Sequence, residues 1–348
     1  MKQNYIRPLD LKHGRVDMSH GSGGRAMAQL IDELFAPLLG NDYLAQGNDG
    51  SVMPLPEGPG RLVMATDAHV VSPLFFPGGD IGCLSVHGTI NDVAVMGAKP
   101  LYLSASFILE EGFALADLKR IVESMAAAAK EAGVPVVTGD TKVVEQGKGD
   151  GVFISTTGVG WLPAGIELSG NRAAAGDAIL VSGPIGDHGM AIMSQRESLA
   201  FESPIVSDTA ALHGLVADLL ASGVQVKVLR DPTRGGLGTT LNEIARQSGV
   251  GMMLQEARIP VQPAVAAACE FLGLDPLYCA CEGRLIAIVA GADKDKALAA
   301  LQAHPQGTGA AIVGSVHEDP HHFVQMTTGF GGKRIVDWLT GEQLPRIC

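Results

Sequence analysis

The chain has 348 residues, 46% of them hydrophobic, with a formal charge of −12. That length can bury two ordinary cores, so two domains are expected. The acidic balance argues against nucleic acid or an anionic membrane as a partner, because both need a basic face; a bound polyanion must be held locally, by backbone amides or through a metal.

In chain order, the glycine-rich run His20-Gly21-Ser22-Gly23-Gly24 feeds a helix over 24–39, where Met27, Leu30, Ile31, Leu34, Phe35 and Leu38 recur at helical spacing. A strand at 61–66, a Pro/Gly loop at 72–80, a helix at 81–97 and a strand at 101–109 follow. Residues 114–132 read as a helix, and 134–138 as a short buried strand entering a turn at Gly139-Asp140-Thr141; a further strand spans 151–160. Pro163, Gly165, Gly170 and Gly176 mark the boundary between domains. The second half restarts with a strand at 177–182. Helices are expected near 189–196, 208–221, 236–248, 261–272 and 293–303, and strands near 226–229, 250–254, 284–290 and 310–315. This alternation makes both halves α/β or α+β.

The expected division is a glycine-rich segment and helix over 1–40, an N-terminal domain over 41–165, a C-terminal domain over 166–340 and a tail over 341–348. The tail has no periodicity, contains Pro345 and is expected to be exposed and flexible, with a reach of roughly 25 Å when extended. The first fifteen residues have no apolar stretch of the secretory kind, and the longest uncharged run, 151–166, is too short and too rich in Gly, Thr and Pro to cross a bilayer. A cytoplasmic protein with reduced cysteines is expected.

The common nucleotide signatures are missing. No Lys is followed by Ser or Thr, so there is no Walker A loop. Gly21 to Ala26 fits G-x-G-x-x-A, but a poor strand precedes it, which weakens a dinucleotide-fold reading. H-E-x-x-H, G-x-S-x-G and paired C-x-x-C motifs are absent. Aspartates gather instead at the ends of predicted elements: Asp49, Asp67, Asp92 after Asn91, Asp140 and Asp231. Several carboxylates from different elements can hold Mg-ATP without a P-loop, although any one of them could equally cap a turn or helix.

The segment Asp231-Pro-Thr-Arg234-Gly-Gly opens a helix whose first amides, with Arg234, suit a phosphate; an ordinary glycine-rich helix entry is the alternative. Lys142 and Glu282 form a proton-transfer pair if a cleft brings them together, and are surface charges if it does not. His188 is read as structural, and Cys279 and Cys281 as packing residues. Cys348 differs, because a thiol at the end of a tail suits a swinging arm that carries a thioester-like group.

Together these residues resemble the HypE family of hydrogenase maturation factors, within the aminoimidazole ribonucleotide synthetase (PurM-like) superfamily. The likeness runs from His20–Gly24 through Phe75-Phe-Pro-Gly-Gly-Asp80, Asn91-Asp92, Thr138-Gly-Asp-Thr-Lys142 and Asp231-Pro-Thr-Arg234 to the ending Pro345-Arg-Ile-Cys348, its most specific element. The resemblance implies an N-terminal α/β domain whose sheet pairs in a homodimer and a C-terminal α+β domain. It also implies that the carbamoyltransferase HypF loads Cys348, that ATP activates the carboxamide oxygen, and that loss of phosphate leaves a thiocyanate. Cyanide then passes to iron on the HypC–HypD complex for [NiFe]-hydrogenase.

ATP and Mg2+ are the implied cofactors. Carried over residue by residue, Cys348, Lys142 and Glu282 form the catalytic group. Gly23, Gly24, Asp49, Asp67, Asn91, Asp92, Asp140, Thr141, Asp231 and Arg234 surround the nucleotide, with Asp49, Asp67, Asp92 and Asp231 on the metal. Two positions depart from the pattern: Cys281 stands where the family usually has Asn, and Cys83 where a basic residue is more common. The alternatives are a non-catalytic cyanide carrier, and a synthetase or kinase acting on a free small molecule.

Overall fold

The computed structural model describes residues 7–197, 205–341, 344 and 346–348. The N-terminal half contains α1 (Arg25–Leu30), a π-helical stretch Ile31–Phe35, α2 (Ala36–Leu39), β1 (Gly60–His69), the short strands β2 (Phe75–Phe76) and β3 (Gly79–Asp80), α3 (Ile81–Val95), β4 (Lys99–Glu110), α4 (Leu115–Ala132), β5 (Val136–Val144) and β6 (Val152–Pro163). Four strands form one sheet in the order β1-β6-β4-β5, antiparallel except for β4 and β5. That parallel pair needs a crossover, which α4 supplies.

Side chains alternate along these strands, so the two faces of the sheet have different fates. One face packs on α3 and α4, where Leu103, Phe107 and Leu109 are buried with Leu84, Ile90, Leu118 and Ile121. Asp80 starts α3 by accepting from the amides of Gly82 and Cys83 at 2.7 and 3.2 Å. The opposite face is uncovered in a single chain and leaves Leu62, Met64 and Ile108 exposed at 55%, 73% and 42%.

The C-terminal half contains β7 (Ala178–Val181), α5 (Asp187–Arg196), α6 (His213–Ala221), β8 (Val226–Arg230), α7 (Gly236–Ser248), β9 (Gly251–Gln255), α8 (Pro263–Leu272), β10 (Ile286–Val289), α9 (Lys294–Ala303), β11 (Ala311–His317), β12 (Val324–Thr327) and β13 (Lys333–Ile335). Its seven strands run in the order β13-β12-β9-β11-β7-β10-β8. β7 and β10 are buried throughout, which explains their unbroken apolar sequences. Leu237, Leu241 and Ile244 of α7 belong to one apolar cluster with strand side chains, and Leu215, Val216 and Leu219 of α6 to another. The halves meet where α3 packs on α6 and where Asn91 of α3 donates to the Ala210 and Glu282 carbonyls. Among the described residues no helix is long and apolar enough to cross a membrane.

Three differences from the sequence expectations bear on the site. First, Gly139-Asp140-Thr141 is not a turn, because β5 runs straight through it. Gly139 is required by a close approach instead: a Cβ there would lie 2.4 Å from the Ala105 carbonyl oxygen of β4. Second, the helix expected over 208–221 begins only at His213. Residues before it are held extended by long-range bonds, from the Glu282 amide to Asp208 Oδ1 at 3.0 Å and from the Leu212 amide to Asn91 Oδ1 at 2.7 Å. Third, the tail is docked rather than exposed, with Ile347 only 3% accessible. Pro345 and residues 342–343 lie outside the described residues.

Candidate active site

Four acidic side chains from different elements crowd the junction between the halves. Asp67 points from β1 towards α3, where its Oδ2 lies 3.3 Å from the Cβ position of Gly88. Asp92 projects from α3, Asp231 follows β8 and Glu282 precedes β10. Burial, then the charges of Asp231 and Asp67, push Asp92 up to about 7 against the pull of Arg230. Burial raises Asp231 to about 6, with Asp67 adding to the effect. Glu282, 3% exposed, is held well above the usual carboxylate range by burial and by Asp231, Asp208 and Asp67. The cluster carries more negative charge than its cations balance, so it favours an incoming cation or protonation.

The tail delivers Cys348 into this cluster. Val70 donates to the Cys348 carbonyl and Ser72 to the Arg346 carbonyl, both at 3.1 Å. The tail acceptor's number falls by two as the donor segment advances by two, so the tail adds antiparallel to the segment following β1. Arg346 pairs with Asp150, and Ile347 packs into the N-terminal core. The Cys348 thiol then lies against the Glu282 carboxyl. Burial first, and the Glu282 charge second, push that thiol well above its ordinary range, while Arg234 opposes them. Oε1 of Glu282 has no hydrogen-bond partner among the described residues.

The structure thus brings together Asp67, Asp92, Asp231, Arg234, Glu282 and Cys348. Asn91 lies beside them as a clamp: its amide donates to the Ala210 and Glu282 carbonyls at 3.0 and 3.2 Å and its oxygen accepts from Leu212. The remaining expected residues form a second group along β5. Lys142 does not meet Glu282 within one chain. It pairs with Asp140 at 2.8 Å, because residues two apart on a strand share a face, and that face is the uncovered one. Asp67 sits on the opposite face and three strands away, roughly 14 Å at ordinary strand spacing.

Thr141 is buried beside Asp140. Gly23 and Gly24 follow Gly21, which packs on Val143 of β5, and Asp49 precedes Ser51, whose hydroxyl donates to Val137 in the same strand. The opening of α7 also differs from a phosphate cradle. Gly236, at φ +58°, is buried against the Leu277 and Cys279 carbonyls, so the first turn supports the segment leading to Glu282.

Comparison with known proteins agrees over nearly the whole chain. The AIR synthase related protein N-terminal domain matches residues 47–162, and the corresponding C-terminal domain residues 174–327. The carbamoyl dehydratase HypE of Cupriavidus necator is 70% identical over 348 residues, covering 100% of this chain and 99% of its own length. The chain belongs to the HypE family. A crystal structure of hydrogenase maturation protein HypE in complex with ATP superposes with TM-score 0.91 at 50% identity, covering 95% of this chain and 99% of the other. HypE in a HypE–HypF complex superposes with TM-score 0.78 at 48% identity, covering 89% and 99%. The two-domain PurM-like fold expected from the sequence is therefore present.

Within this HypE-family fold, the donor set of Asp67, Asp92 and Asp231 suits a hard, oxygen-seeking cation. Among the described residues no three acidic, His or Cys side chains converge closely enough to hold an ion by themselves. A cation held here would need further oxygen donors from outside the carboxylate cluster. Asp208 and Arg196 have no signal in the sequence, which reads His188 only as structural. Asp208 fixes the Glu282 amide and lies 3.6 Å from Arg284, which also approaches Asp187 at 3.9 Å; burial and Asp208 push Asp187 up to about 7. His188 and Arg196 hold the tail, through contacts more than a hundred residues apart in sequence that no local pattern signals.

Proposed function

We propose that this chain dehydrates a carbamoyl group carried on its own Cys348 to a thiocyanate, at the expense of ATP, to supply cyanide ligands for the iron of [NiFe]-hydrogenase. The observation that carries this reading is the docking of Cys348 against the buried carboxyl of Glu282. A thioester-type amide on that sulfur would place its nitrogen protons beside the carboxyl's unpartnered oxygen. Transfer of the terminal phosphoryl group of Mg-ATP to the carboxamide oxygen turns a poor leaving group into a good one. Glu282 accepts a proton from nitrogen as the C–O bond breaks, the C≡N bond forms and phosphate departs, with the second nitrogen proton released to solvent. Asp67, Asp92 and Asp231 are the candidates to hold the magnesium nucleotide, and Arg234 adds positive charge beside the sulfur.

The names of the relatives support this assignment: one is a carbamoyl dehydratase, one was crystallised with ATP and one with HypF. HypF is accordingly the proposed loading partner, and the HypC–HypD complex the acceptor, in the cytoplasm. A homodimer over the uncovered sheet face is supported by the exposed Leu62, Met64 and Ile108. A nucleotide shared between two copies also reconciles the two groups of residues, because Asp140 and Lys142 lie on the face a second copy would cover. Cys348→Ala separates this reading from a kinase or synthetase acting on a free substrate: the variant loses ATP turnover here and keeps it there.

A further inference from the structure

His188 is fully buried in the first turn of α5 and takes no part in the carboxylate cluster. Its Nδ1 meets the Ser207 hydroxyl and its Nε2 the Ile347 carbonyl, both at 2.8 Å. A carbonyl only accepts, so Nε2 carries the proton and Nδ1 accepts from Ser207. Ser207 Oγ in turn accepts from the Thr209 amide at 3.1 Å, and Phe76 stands edge-on to the imidazole at 5.4 Å. Asp208, the residue between, takes the Glu282 amide. Loop 207–209 therefore fixes both Glu282 and the tail that brings the sulfur to it. About two turns further along α5, Arg196 donates to the Ser72 and Arg346 carbonyls, each at 3.1 Å. The tail atoms held by these side chains, and by Val70 and Ser72, are main-chain oxygens of Arg346, Ile347 and Cys348.

We propose that His188 and Arg196 are positioning residues that latch the carrier tail by its backbone, whatever group the sulfur carries, and so set how Cys348 is divided between its own site and a partner protein. The inference rests on the proposed function in taking the docked tail as the dehydrating state, but the latch can be tested without nucleotide chemistry. The rate of Cys348 alkylation by iodoacetamide is followed in the full chain by peptide mapping, with the half-buried Cys83 as the reference for general loosening.

His188→Ala and Arg196→Ala each raise the Cys348 rate by roughly 10-fold, the loss of about one charge-assisted or buried hydrogen bond, while Cys83 is unchanged. His188→Gln, whose side-chain N–H can reach the same carbonyl, returns the rate towards wild type. Arg196→Ala alters a partly exposed side chain and decides the question if His188→Ala fails to fold. Wild-type Cys348 alkylation in folded Arg196→Ala, or in a folded His188 variant lacking the N–H, overturns the latch. If alkylation responds as expected while carbamoylated wild-type protein never loses water with ATP, the latch stands and the functional reading fails.

Discussion

Glu282→Gln isolates the proton-transfer step. The change keeps size and shape at a position only 3% exposed, and burial with three neighbouring carboxylates already holds the native side chain towards its neutral form. Gln copies that resting charge, so the fold and the docked tail are retained. What is lost is a base beside the nitrogen of the loaded group, a contribution of about 10²–10⁴ in rate. Under the proposed function Cys348 is loaded in the partner, so loading should be unaffected.

The assay is the mass of carbamoylated protein followed in time after addition of Mg-ATP, with nucleotide binding measured in parallel by calorimetry. The pH profile carries a second signature. Because Glu282 titrates above the ordinary carboxylate range, the wild-type rate should rise with pH on a limb set by this group. The limb disappears in the variant. A Glu282→Gln protein that converts at the wild-type rate with the same pH profile would refute the assignment of Glu282 as base.

Asp67→Asn and Asp92→Asn each weaken Mg-ATP binding by roughly 10-fold or more, read by calorimetry, with unchanged thermal unfolding of the free protein; undiminished affinity in both would remove them from the nucleotide site. Met64→Asp, placed on the uncovered sheet face, converts a dimer to a monomer in light scattering, and Lys142→Ala lowers dehydration while leaving the dimer intact. Asp187 is raised from 3.8 to about 7, so its contribution to stability is complete below the unfolded value and is lost as pH rises through the folded one. Asp187→Asn should therefore gain stability relative to wild type between pH 5 and 7, by up to about 1.4 kcal/mol per pH unit, measured by denaturant unfolding.

Much of this architecture is legible locally. Helical spacing marks α4 and α7, apolar runs mark β7 and β10, and aspartates at element ends point to Asp67, Asp92 and Asp231. The errors arise where tertiary contact overrides local chemistry. Gly139 reads as a turn residue because its crowding by the Ala105 carbonyl is invisible in sequence. Asp208 and Ala210 read as helix because nothing nearby shows that Glu282, more than seventy residues on, will bond both. Lys142 lies inside β5 and Glu282 just before β10, and strand alternation turns Lys142 to the opposite face of the sheet from the Asp67 cluster. The tail reads as loose because its partners at Val70, Ser72, His188 and Arg196 contribute long-range bonds and no periodic pattern of its own.

The most direct test follows the mass of the intact chain through loading by HypF with carbamoyl phosphate and then through addition of Mg-ATP. The account predicts the gain of one carbamoyl group followed by the loss of one water, both mapped to the peptide ending in Cys348, with one ATP consumed for each water lost. A carbamoyl mass that persists on Cys348 when ATP is present, or a modification that maps to another residue, would contradict it.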